Sequence, residues 1–404
     1  MKILSLNYEY PPIGGGGGVA AAALNERLVV GGDTVYVVTS AMRGMPAVES
    51  VNGVTVYRTP CVRRHRHFTT TLELLTTLIP AYRAAARLIR TNRPDVIHTH
   101  FAVPSGLVAL ALSWRFGLPY VLTAHGSDIP HYNPDRFGFA HVLLKPIWHR
   151  VIRGATALTS PSEYLAGLIR SNGVKAPINI IPNGYTPMPG TQTAKRPLVL
   201  VVARLFPRKG VQHFIEALGG LRSDWDFVVA GDGPYMDSLK QQARAADSPV
   251  KFIGFVDHRT LADYYRDARI FVFPSIRENF PMVLLEAMEA GCAVITTDAE
   301  GCAEVVGDAG VVIPAGDVVQ MRLVMQALMA NPARCAQLAT AARLRVRRFR
   351  WERIATLYRT LLAHVAGETA EVPASLEDTA RVRLLSKPDV AQERRARSRF
   401  RHGS

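Results

Sequence analysis

Two glutamates eight positions apart carry the most specific chemistry in this 404-residue sequence. Glu278 opens the run Glu278-Asn279-Phe280-Pro281-Met282-Val283-Leu284-Leu285-Glu286, directly after the apolar stretch Ile270–Phe273 and the loop Pro274–Arg277. Proline suits the first position of a helix, so Pro281 predicts a helix start. The N–H groups of Met282, Val283 and Leu284 then lack intrahelical acceptors and can hold a phosphate. Glu286, about one turn further in, can accept hydrogen bonds from two vicinal hydroxyls, as a ribose presents them. Glu278, on the loop before the helix, is placed for a sugar rather than for phosphates. The alternative is that both glutamates are solvated charges favoured by the helix dipole.

Two further segments suit an anionic ligand. Arg204-Leu205-Phe206-Pro207-Arg208-Lys209-Gly210 follows an apolar strand. Arg204 offers a planar fork for oxygens and Lys209 a point charge, and together they can meet one diphosphate. Near the start, Pro11-Pro12-Ile13 precedes five consecutive glycines, Gly14 to Gly18. Such a run lets the backbone approach a ligand and presents N–H groups at a helix N-terminus. Gly14 and Gly16 open a dinucleotide-type frame, but Val19 stands at its third position and the second strand ends Thr39-Ser40 with no acid for a ribose. A nicotinamide cofactor is therefore disfavoured.

The elements that must position these residues alternate along the chain. Strands are expected at Ile3–Asn7, Thr34–Thr39, Val54–Tyr57, Asp95–Thr99, Tyr120–Thr123, Thr156–Thr159 and Ile178–Ile181, with helices Ala20–Val30, Leu72–Thr91, Ser105–Phe116 and Ser162–Ser171 between them. A proline-rich stretch from Pro182 to Pro197 reads as a linker. The alternation resumes with Leu198–Val202, Asp226–Ala230, Val250–Ile253, Ile270–Phe273, Ala293–Thr296 and Gly310–Ile313. Helices Asp317–Met329, Pro332–Phe349 and Trp351–Val365 close the pattern. This rhythm predicts two α/β domains, each a parallel sheet covered on both faces. The expected division is 1–183 for the first domain and 184–365 for the second with its closing helices. A basic tail, 366–404, is expected to be disordered, because it is polar, aperiodic and rich in arginine.

Composition narrows the class. Net charge is +15, more than half of it within residues 1–183, which calls for an acidic partner. No apolar run reaches the ~18 residues of a membrane span, and the first residues read as a strand rather than a secretory leader. The four cysteines, Cys61, Cys292, Cys302 and Cys335, lack metal spacing. Reduced thiols in a cytoplasmic protein are expected.

Taken together, the motifs resemble those of the retaining GT-B glycosyltransferases of family 4. The likeness rests on the Glu278–Glu286 spacing, the glycine run, Arg204 to Gly210, and Thr123-Ala124-His125-Gly126-Ser127-Asp128, all in that family's order. Pro182-Asn183-Gly184, Gly231-Asp232-Gly233-Pro234 and Gly254-Phe255-Val256 agree with it, and the likeness spans residues 1–365. It implies two Rossmann-like domains facing each other across a donor-binding cleft. The co-substrate is then a nucleotide-diphosphate-sugar, uridine favoured over guanosine, and the acceptor a hydroxyl of a glycan, lipid-linked or small molecule. Arg204 and Lys209 would hold the diphosphate, Glu286 the ribose, and Phe255 and Val256 the base. Glu278 would contact the transferred sugar with His125 beside it, Gly15 and Gly16 would line the phosphate loop, and Asn279, Phe280, Pro281, Met282 and Val283 would complete the donor side. Two departures stand out: Pro281 where glycine is frequent, and Gly301-Cys302-Ala303-Glu304 in place of Gly-Gly-x-x-Glu. The alternatives are a nucleotide-sugar 2-epimerase on the same scaffold and a non-catalytic subunit that binds sugar nucleotides.

No cofactor or essential metal is expected. Asp224-Trp225-Asp226 imitates a DxD metal motif, but Asp226 starts a strand. His98 and His100 have no third partner at metal spacing and read as packed residues. Arg63, Arg64 and Arg66 precede an amphipathic stretch with Leu72, Leu75 and Ile79, a pattern suited to docking on an anionic membrane, here the inner face of the plasma membrane. No nucleic-acid module is present.

Overall fold

The computed structural model describes residues 1–66, 69–130, 132, 145–188 and 194–368. They form two α/β units. Of the described residues, the first takes those within 1–161, 165–182 and 351–368; the second takes those within 162–164 and 183–350.

In the first unit the sheet runs β1 (Lys2–Leu6), β2 (Thr34–Ser40), β3 (Val48–Val51), β4 (Val54–Thr59), β5 (Val96–His100), β6 (Tyr120–Thr123), β7 (Ala157–Ser160) and β8 (Ile178–Ile180) along the chain. In space the order is β3-β4-β2-β1-β5-β6-β7-β8. Every pairing is parallel except β3 with β4. The central strands are apolar on both faces, as in β1, where Ile3, Leu4 and Leu6 are buried, because helices cover both sides. The chain winds outward from β1 to β2 and β4, then returns to β5 on the other side of β1. The direction of winding reverses between β1 and β5, which opens a crevice at their C-terminal ends.

The second unit repeats the plan with β9 (Arg196–Val202), β10 (Asp226–Ala230), β11 (Val250–Gly254), β12 (Ala268–Phe273), β13 (Ala293–Thr297) and β14 (Val311–Ile313). Their order is β11-β10-β9-β12-β13-β14, all parallel, and here the reversal lies between β9 and β12. The Arg204–Gly210 loop follows β9 and the Pro274–Glu278 loop follows β12, so the topology brings the two together.

Two features differ from the sequence reading. Strand β3 was not expected: it is short, half exposed and antiparallel to β4 across Asn52-Gly53. That dipeptide is the usual signal of a two-residue hairpin turn. The second difference concerns the last helix, Trp351–Ala366, which was expected to close the second domain and instead belongs to the first unit. Its Ile354, Leu357, Tyr358, Leu361 and Leu362 share a core with Ile3, Leu24 and Val35. Arg359 also donates to Asp33 at 2.9 Å, and the N-terminal amine of Met1 donates to the other Asp33 oxygen at 2.8 Å. An amphipathic helix shows which face it buries but not against which sheet.

Candidate active site

In the second unit, the loops after β9 and β12 are knitted through backbone. The Ile276 N–H donates to the Arg208 carbonyl at 2.9 Å, and the Ser275 hydroxyl to the same carbonyl at 3.1 Å. Gly210 makes this approach possible. Its φ is +68°, and a Cβ there would lie 1.8 Å from the Pro274 carbonyl oxygen. The two loops thereby join Lys209 to Glu278 in an ion pair, both side chains being largely buried. Burial, with Arg208 and Arg204 nearby, lowers the pKa of the Lys209 ammonium; contact with the Glu278 carboxylate acts against this. Two residues expected to take separate parts of a ligand are thus each other's partner. Arg204 is exposed, its guanidinium 6.0 Å from the centre of the Phe206 ring.

The helix expected at Pro281 spans Met282–Glu289. Pro281 is its N-cap, with extended φ and ψ of −79° and 107°, rather than its first residue. Leu284 donates to the Pro281 carbonyl at 3.1 Å, so its N–H is engaged, unlike the expectation. The N–H groups of Met282 and Val283 have no acceptor among the described residues. Glu286 lies one turn in, with Tyr265 and His258 near it; burial raises its carboxyl above the ordinary range, and these two neighbours partly oppose this. Two of the expected ligand contacts turn inward. Phe280 is buried against Phe349, ring centres 5.8 Å apart, and Asn279 accepts a 2.5 Å hydrogen bond from Ser162. Their side chains thus hold the loop to Ser162 and Phe349. Gly301 fits the same construction, since a Cβ would sit 1.7 Å from the Asn279 carbonyl oxygen. Beyond β11, Phe255 is 80% exposed, an unusual state for an aromatic side chain, and Val256 beside it is half-buried.

In the first unit the glycine run caps the helix Gly16–Val30, with Gly15 as N-cap. Glu9, which the sequence reading passed over, accepts the Gly15 N–H at 2.8 Å. Gly15 therefore shapes the loop and does not offer its donor. Gly16 faces open space, nothing lying within 4 Å of a Cβ built on it.

His125 follows β6. Asp128 receives the backbone N–H groups of His125 and Gly126 at 3.1 and 3.0 Å, and that of Ala102 at 2.7 Å, which ties the β6 loop to the β5 loop. The Phe101 ring lies 4.6 Å from that of His125, centre to centre. His125 Nε2 is 3.0 Å from His100 Nδ1, and the His98 and His100 rings are 4.3 Å apart. Burial pushes His125 down to about 4 and His98 to about 3, and lowers His100 well below its usual value, so all three are neutral at pH 7. The role of His100 against His125 was missed because a strand alternation says only that both strand histidines face one way.

Elsewhere, Asp226 is held by Lys251 at 2.6 Å and Arg196 at 3.8 Å, and among the described residues no cluster of metal-ligating side chains forms. Arg63 is not the surface cation expected. Its guanidinium donates to the carbonyls of Tyr8, His65 and Arg66 and to the Ser40 hydroxyl, at 3.1 to 3.3 Å. Arg64 and Arg66 are exposed. So are Leu72 (76%), Leu75 and Ile79 (64%), and along the same helical stretch Arg83, Arg87 and Arg90. No helix among the described residues is long and apolar enough to cross a membrane. His67 and Phe68 lie outside the described residues, as does 369–404, which holds almost all of the expected basic tail.

Comparison with known proteins places this geometry. Residues 15–184 match the glycosyl transferase 4-like domain and residues 189–345 the glycosyl transferases group 1 family. The chain is 29% identical over 405 residues to a glycogen synthase of Mycobacterium tuberculosis, covering 92% of this chain and 96% of that one. It is 29% identical over 249 residues to the putative teichuronic acid biosynthesis glycosyltransferase TuaC of Bacillus subtilis, 56% of this chain and 60% of that relative. The sucrose-phosphate synthase of Thermosynechococcus elongatus superposes with a TM-score of 0.75 at 25% identity over 90% of this chain and 99% of that one. HepE of Anabaena, in complex with UDP and glucose, does so with 0.69 at 19% over 89% and 98%. The fold is GT-B.

Proposed function

The chain belongs to the group 1 glycosyltransferases, and on that premise we propose that it moves a sugar from a UDP-sugar to an acceptor hydroxyl with retention at the anomeric carbon. The observation that carries this reading is the convergence in the second unit. Lys209 and Glu278 meet where the sheet reverses, and the donor-bearing first turn of Met282–Glu289 follows on the same loop. Uridine as the base is supported by the UDP bound in HepE.

The chemistry follows from charge. As the bond between the anomeric carbon and the diphosphate oxygen breaks, negative charge builds on the leaving group. Arg204, Lys209 and the N–H groups of Met282 and Val283 stabilise that charge before the reaction begins, which is where most of the barrier reduction is expected. Drawing Lys209 onto the diphosphate releases the Glu278 carboxylate, which then accepts from a hydroxyl of the sugar. The acceptor oxygen attacks from the face the diphosphate leaves, and its proton passes to a leaving-group oxygen. Glu286 takes the ribose, Phe255 and Val256 flank the base, and His125 lies beside the sugar with Gly16 lining the phosphate loop. With Arg204 and Lys209 as the cations, turnover is expected to survive a chelator.

The acceptor is proposed to be lipid-linked and met at an anionic bilayer. Support comes from the exposed Leu72, Leu75 and Ile79 continuing into Arg83, Arg87 and Arg90, apolar contact at one end and phosphate-binding cations at the other. The test of the donor is a panel of UDP-, GDP- and ADP-sugars, with and without chelator, read as release of nucleoside diphosphate. A UDP-sugar should turn over, and the product should keep the donor's anomeric configuration by NMR. Release from no donor would sink the reading, and conversion of a UDP-sugar without acceptor would point to an epimerase.

A further inference from the structure

His98 and His100 stand two apart on β5 and so face the same side of the sheet, where His125 joins them from the end of β6. The polar contacts run in two branches. His98 Nε2 lies 2.8 Å from the Thr123 hydroxyl, which lies 2.6 Å from that of Thr159. His100 Nδ1 lies 3.0 Å from His125 Nε2. A neutral imidazole carries one proton, so in the second branch one ring donates and the other accepts.

The far side of His100 decides which. Its Nε2 is buried and has no hydrogen-bond partner among the described residues. If His125 were the donor, the proton of His100 would sit on that nitrogen as a buried, unpaired N–H. If His100 donates, Nε2 holds only a lone pair. Orphaned buried N–H groups are rarer than under-used acceptors, so the second arrangement is favoured. The proton of His125 must then be on Nδ1.

We infer that His100 is a positioning residue that donates from Nδ1 to His125 Nε2, and so fixes His125 as the tautomer protonated on Nδ1. His125 can then offer a hydrogen bond from Nδ1 but cannot act there as a proton acceptor. With the proposed reading that His125 contacts the transferred sugar, on which this consequence rests, it orients a sugar oxygen by donating to it and takes no part as a general base. Burial keeps the pair neutral down to about the pKa of His125, near 4, so the arrangement holds across the working pH range.

The test is a tautomer measurement on the full chain labelled with 15N-histidine, by long-range proton–nitrogen correlation, with the His125 signals assigned by their loss in His125→Asn. The wild-type protein should show His125 with an unprotonated Nε2 and a protonated Nδ1. His100→Asn keeps a side-chain amide N–H near the place of Nδ1 and should preserve that signature. His100→Leu should release it to the other tautomer or a mixture, and lower kcat by about ten- to a hundredfold with little change in KM for the donor. His125 protonated on Nε2 in the wild-type spectrum overturns the inference, whether or not either variant folds. Failure of every sugar nucleotide to react, with the expected spectrum intact, would instead remove the glycosyl-transfer reading and leave the tautomer standing.

Discussion

Glu286 and the basic pair on the β9 loop make opposite demands on the fold. Burial holds the Glu286 carboxyl above its ordinary range, so the folded protein binds this proton more tightly than the unfolded chain does. Its contribution to stability is complete below the ordinary carboxylate range and is lost as pH rises through the raised value. Glu286→Gln should therefore melt higher than wild type near about pH 8, with the gap closing toward about pH 4. The same change should weaken UDP binding, because each charge-assisted hydrogen bond lost is worth about 1.5–3 kcal/mol. Unchanged affinity by calorimetry would take Glu286 out of the site. Arg204 and Lys209 replaced together by alanine should lower kcat by about 10²–10³. Near-normal turnover in that variant would dismiss the diphosphate assignment.

At the scale of elements, the loops after β9 and β12 stand or fall with one backbone position. Gly210→Ala forces a left-handed conformation that costs an L-residue about 1–2 kcal/mol and drives a Cβ onto the Pro274 carbonyl. A clear loss of thermal stability is expected, together with loss of donor binding. Gly16→Ala, which meets open space, should leave the melting temperature nearly unchanged. Equal effects of the two substitutions would show that the approach of the loops does not set their stability. The strand edges that bear these loops were readable beforehand, since a β-branched run followed by charged and glycine residues marks a C-terminal edge whatever its neighbours. Which edges meet was not readable, because Lys209 and Glu278 are brought together only by the reversal of winding between β9 and β12. Strand β3 was missed for a local reason: Val48–Val51 has adjacent polar residues, Glu49 and Ser50, which break the strand alternation, and it is too short to stand out.

At the scale of the molecule, two properties follow from charge. His98 and His100, buried in the first unit, and the half-buried His125 beside them are all neutral, with His98 lowered to about 3 and His125 to about 4. The unfolded chain takes up these protons first, near pH ~6.5, so stability is present above that value and is lost as pH falls toward the folded values. The loss approaches about 1.4 kcal/mol per pH unit for each histidine. Urea midpoints at about pH 7 and about pH 5 should differ accordingly, and a flat profile would mean that the three rings are open to solvent. The second property is docking. Replacing Leu72, Leu75 and Ile79 by serine in the full chain should reduce sedimentation with anionic vesicles, since burying each such side chain is worth about 1.5–3 kcal/mol. Replacing Arg64 and Arg66 should lower it by roughly tenfold or more at low salt, at about 1 kcal/mol per cation near the surface. Because the C-terminal arginines are present in every protein compared, a difference belongs to this face. Equal sedimentation of all variants would favour an acceptor met in solution.

The sequence alone determined the class of fold, two parallel α/β units, because alternation of apolar strands and amphipathic helices is a local property of the chain. It also marked the segments proposed to meet the donor, since glycine runs, a proline before a helix and cations after a strand act through the backbone beside them. The tertiary structure alone decided partnership. It paired Lys209 with Glu278, turned Phe280 and Asn279 inward, engaged Arg63 with backbone carbonyls, set His100 against His125, and gave the helix Trp351–Ala366 to the first unit. Each of these depends on which surfaces meet across long sequence separations, and residue type fixes only what a side chain can bond to, not what it will find.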